Sequence, residues 1–120
     1  MTFTTPAKAA DQAAEAIRAL NHATLNPSSG EEEWRFPSHA YDVIGGLDRM
    51  AGGLDQALEQ TWAFLAKLAA DGHVGSDRGD ADRDLADAKE ALDLARAASE
   101  QLLVALSAAH RATSPLSYKG

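Results

Sequence analysis

The sequence predicts an all-α protein: an antiparallel three-helix bundle built on a long αα-hairpin. Three observations point there. Of 120 residues, 26 are alanine and 14 are leucine, while isoleucine and valine together supply 5. Alanine and leucine lose little on entering a helix, whereas β-branched side chains favour strands. Apolar residues recur at alternating spacings of three and four, the period of a helix face. Each such stretch is bounded by capping and stop signals. The length suits one domain, residues 1–112, followed by a short frayed tail, 113–120.

The first helix is expected over 6–25. Thr5 is a good N-cap and Pro6 suits the first helical position, since its missing N–H would have no partner there. Ala10, Ala13, Ile17, Leu20 and Thr24 form its apolar face. The cluster Asn26-Pro27-Ser28-Ser29-Gly30 stops it, and Glu31-Glu32-Glu33 follows as a solvated run of like charge.

The second helix is expected over 38–70, with Ser38 as N-cap and Asp71-Gly72 as the stop. Its stripe is Ile44, Leu47, Ala51, Leu54, Leu58, Thr61, Leu65 and Leu68. Val43, Met50, Ala57 and Phe64 form a second row at seven-residue intervals that widens the buried face. The third helix is expected over 80–112. Asp80 caps it, and Asp82 and Asp84 sit in the first turn, where the helix dipole favours negative charge. Its stripe is Leu85, Ala88, Leu92, Ala95, Ser99, Leu102, Leu106 and Ala109. A flanking row of Ala91, Ala98, Ala105 and Ala112 admits a close neighbour. The short connection 71–79 makes the second and third helices antiparallel partners. The first helix, about two-thirds as long, is expected to dock along their groove. The ends of the long pair stay thinly covered, which dimerisation would complete.

The formal net charge is −7. A nucleic-acid partner needs a cationic footprint, and an anionic membrane surface repels such a chain, so neither is expected. With no cysteine there is no disulfide, thiol catalysis or cysteine-type zinc site. The opening residues lack the basic and apolar regions of an export signal, and no apolar stretch has membrane-spanning length. The expected location is the cytoplasm.

Motifs for chemistry fail on inspection. Asp80-x-Asp82-x-Asp84 opens like a calcium loop, but that loop needs glycine next and glutamate at its twelfth position; here Leu85 and Ala91 stand there. The residues three before His22, His39, His73 and His110 are Ala19, Phe36, Ala70 and Ser107, so the Glu-x-x-His pattern of di-iron bundles is missing. The histidines read as surface or cap residues. No Gly-x-Ser-x-Gly and no glycine-rich phosphate loop occurs. No catalytic, cofactor-binding or metal-ligating residue is assigned, no cofactor is expected, and the chain is expected not to be an enzyme.

Two features remain. Trp34, Arg35, Phe36 and Tyr41 gather aromatic and guanidinium groups at the start of the second helix. Such a group either caps the open end of a bundle or anchors a partner. Secondly, Ile44-Gly45-Gly46-Leu47-Asp48 is echoed seven residues later by Ala51-Gly52-Gly53-Leu54-Asp55. A mid-helix glycine costs about 1 kcal/mol relative to alanine. Gly46 and Gly53, in line with Met50, Ala57 and Phe64, are therefore expected to mark close helix packing.

At Trp34-Arg35-Phe36-Pro37 followed by the Gly-Gly-Leu-Asp helix, the chain resembles a set of short all-helical proteins of high-GC Gram-positive bacteria. That resemblance brings no activity with it. At fold level the length and hairpin are similar to WXG100-type secreted proteins. Their turn carries Trp-x-Gly, where this chain has Gly72-His73-Val74-Gly75, and their Tyr-x-x-x-Asp/Glu tail signal is absent after Tyr118. No residue role is carried over. The expectation is a non-catalytic helical module for protein–protein contact, by self-association as a homodimer or as an adaptor. The alternative is a small-molecule or metal-binding bundle, which would break its stripes with paired polar residues; only Thr61 and Ser99 do so.

Overall fold

A computed structural model describes residues 4–25 and 34–120 of the chain. The elements are α1 (Pro6–Ala23), α2 (Pro37–Ala70) and α3 (Ala81–Thr113), with no strand among the described residues. The expected stop at Asn26–Gly30 and the acidic run Glu31–Glu33 lie outside them.

Most helix ends follow the expected chemistry. The Thr5 hydroxyl accepts a hydrogen bond from the Lys8 amide at 3.2 Å, and Asp80 accepts one from the Arg83 amide at 3.0 Å. After α2 the His73 amide donates to the Leu68 carbonyl and the Gly72 amide to the Ala69 carbonyl, with Gly72 at φ 80°. These two bonds around a left-handed glycine are the Schellman stop. The start of α2 differs from expectation: Phe36, not Ser38, is the N-cap, with Pro37 inside the first turn. The imidazole of His39 takes over the capping, its Nδ1 accepting from the amides of Arg35 and Phe36 at 3.0 and 3.2 Å.

α2 and α3 pack side by side as an antiparallel hairpin. Asp55 meets Arg96, Asp48 meets Ser107 and Gly45 meets His110. The numbers of each pair sum to between 151 and 155, close to the register the short turn implies. Leu58, Leu65, Leu85 and Leu92 are half-buried along this seam, and so is Trp62, in phase with Leu58 and Leu65. Among the described residues only Gly45, Ala51 and Ser99 are buried. Two helices alone enclose no interior.

The third member of the bundle is not in place. No Cα atom of α1 comes within 8 Å of one in α2 or α3, and none of its residues is buried. Its apolar face consists mainly of alanine, with Ile17 and Leu20 the only large side chains. At about 25 cal/mol per Å² so small a face gains little by docking.

The widening rows are corrected for the same reason. Met50, Ala57 and Phe64 are exposed, and so are Ala91, Ala98, Ala105 and Ala112. On α3 it is Leu103 that turns inward, while Leu102 remains 42% exposed.

Candidate interaction surface

The hairpin has two unlike sides. On one, polar groups bridge the helices. Arg96 Nε donates to Asp55 Oδ1 at 2.8 Å, its Nη2 lies 3.6 Å from Glu59, and the Ser107 hydroxyl donates to Asp48 at 2.6 Å. The hydrogen bond from Arg96 holds the Asp55 carboxyl below its ordinary value; partial desolvation opposes this and the guanidinium charge adds to it. The same bond raises the Arg96 guanidinium, again against desolvation.

The other side carries no charge over most of its length. With 3.6 residues per turn, Val43, Met50, Ala57, Thr61, Phe64 and Leu68 lie about a quarter turn round α2 from the seam. Ala91, Leu94, Ala98, Leu102 and Ala105 lie a quarter turn in the same rotational sense on α3. In an antiparallel pair, equal rotation from the shared seam leads to the same side, so the two rows form one face. Its bulky members are open: Phe64 is 67%, Leu94 66% and Met50 37% exposed. Isolated exposed leucines are ordinary, whereas a continuous apolar face is a candidate surface for association.

Gly46 and Gly53 border this face. A Cβ at Gly53 would meet nothing within 4 Å, and one at Gly46 only Arg49 of its own helix at 3.8 Å. They are not the close-packed glycines of the hairpin. That role falls to Gly45, where a Cβ would stand 2.8 Å from His110 Nε2, and more loosely to Gly52, 3.8 Å from Leu103. The close approach lies one residue away because it falls on the side of the seam that carries Asp48 and Asp55, not on the side of the Met50 row.

The aromatic group sits at the open end of the hairpin. Phe36 meets Tyr118 edge-on at 5.2 Å and His39 at 5.4 Å, and Arg35 lies over the Phe36 ring. Tyr41 stacks on His110 at 4.1 Å. Trp34 is half-buried beside them in sequence. The residues singled out from the sequence thus draw the C-terminal tail and the end of α3 to the start of α2. His110 and Tyr118 were missed because such partners are distant in sequence and carry no local signal. Arg96 and Asp55 were missed too, although oppositely charged residues at matching hairpin levels were readable once the register was known.

Chemistry needs convergence, and the described residues show little. No group of three histidine or acidic side chains among them could hold a metal ion. Two hollows, about 380 and 530 Å³, are each lined by α3 alone. The two polar members of the stripes bond to their own helix: the Thr61 hydroxyl to the Ala57 carbonyl and the buried Ser99 hydroxyl to the Arg96 carbonyl. No described helix is long and apolar enough to cross a membrane. Compared with family models, with characterised proteins and with solved structures, the chain matches none.

Proposed function

We propose that this chain is a non-catalytic helical module that works by contact with a protein surface, through the uncharged side of its α2–α3 hairpin. The observation that carries the reading is the contrast between the two sides. Ion pairs and a hydroxyl–carboxylate bond tie one, while Met50, Phe64, Leu94 and Leu102 stand open on the other. Removing that apolar area from water is the driving force for association. The alternative, a small-molecule site, has less support, because each hollow is backed by a single helix and the stripe hydroxyls are already engaged. The proposal includes action in the cytoplasm.

A photo-crosslinking side chain at position 64 or 94, introduced in the native cells, is expected to give covalent adducts with protein. The same group at Glu100, off the apolar face, is expected to give none. Equal absence of adducts at all three positions would remove the contact reading.

A further inference from the structure

We infer that the occupant of the open face is a second copy of this chain, paired head to tail. The inference rests on the contact reading above and names its partner. Length argues first against the chain's own α1. From Val43 to Leu68 the face runs ~38 Å, whereas the 18 residues of α1 span ~27 Å. A second hairpin covers all of it. A face of that length and two helix diameters wide offers roughly 700 Å² per copy, close to the ~800 Å² per partner of a stable interface.

Charge then fixes the direction. Residues 67–93, around the turn, carry eight acidic and four basic side chains. Outside this stretch and Glu31–Glu33, the chain holds seven of each. From 37 to 113 the hairpin holds thirteen acidic and seven basic side chains, so most of its surplus lies at the turn end. Head-to-head pairing would set two acidic turns side by side. Head-to-tail pairing holds them several Debye lengths apart.

Shape completes the argument. A two-fold axis makes the same patch meet itself, so the face must be self-complementary. An axis between Gly53 and Ala57 of α2 sets small residues at the crossing, where the space above Gly53 is empty. The same register brings Phe64 of each copy opposite Gly46 of the other, a large exposed ring against a helix surface with no side chain. Gly46 and Gly53 thus serve close approach between copies, not within one.

Sedimentation equilibrium of the full chain at tens of micromolar is expected to give twice the chain mass. Gly46→Leu fills the place of the Phe64 ring and is expected to weaken pairing at least ~10-fold. The helix itself gains propensity from this change, so helix content and hairpin stability should not fall. The chain has no cysteine, so Gly75→Cys accepts a single spin label at the turn. Head-to-tail pairing places the two labels about 60 Å apart, head-to-head about 20 Å. A monomer, a short label distance, or unchanged pairing of Gly46→Leu would overturn the inference. A monomer that still gives crosslinks to another protein at position 64 would leave the contact reading standing; a monomer without crosslinks would end both.

Discussion

At position 45 an added methyl group would lie 2.8 Å from His110 Nε2, and that ring is held by its stack on Tyr41. Gly45→Ala should therefore lose more to overpacking, about 1–3 kcal/mol, than it gains in helix propensity, about 1 kcal/mol. Gly53→Ala meets open space, so in dilute protein it should stabilise by up to about 1 kcal/mol. Urea melts of the two variants should shift in opposite directions. At the start of α2, His39→Ala removes the acceptor of two amides that no other cap serves. A loss of about 0.5–2 kcal/mol is expected, read also as faster hydrogen exchange at Arg35 and Phe36.

Between the two long helices, the Asp55–Arg96 pair gives a pH signature. The folded carboxyl lies below its ordinary value of 3.8, so the stabilisation is complete above that value. It is lost as pH falls through the lower, folded value. An NMR titration should find Asp55 low in the native chain and restored to its ordinary value in Arg96→Gln. Leu58, half-buried on the seam, should cost about 2 kcal/mol when cut to alanine, the bottom of the range for leucine because it has already kept part of its exposure. The helix ends were legible in the sequence to within two residues, because proline, aspartate and glycine act locally on the backbone. The inner face was legible for Ala51, Leu58, Leu92 and Ser99. It failed at the flanks, where Met50 and Phe64 are as apolar as any core residue. Hydrophobicity records what should leave water, and not whether the covering surface belongs to the same chain.

For the whole molecule, the same ambiguity explains the fate of α1. Its caps and periodicity make a helix, but its alanine face is too small to secure a place against the hairpin. The candidate surface was half legible: the row through Met50, Ala57 and Phe64 was seen, and its exposure was not. Heat denaturation should make the consequence measurable. If the open face is covered by association, the midpoint rises with protein concentration, and Phe64→Ala flattens that rise. Circular dichroism should show helix with no sheet in either case.

The turn at Ser76–Gly79 has a kinetic consequence. Ser76 bonds to Asp84, which also takes a hydrogen bond from Arg78, so the closed end of the hairpin is tied by residues only eight apart. The next bridges, Asp55–Arg96 and Asp48–Ser107, join residues 41 and 59 apart. Each closes a loop already shortened by the one before, so its entropic cost is small. Folding should run from the turn outward like a zipper, in the fast regime of local helical topologies. Stopped-flow measurements should then find that Ser76→Ala slows folding. Tyr41→Ala, at the last rung to close, should leave the folding rate nearly unchanged and speed unfolding. The aromatic clasp at the open end would thereby act as a brake on opening, setting the lifetime of the hairpin once it has formed.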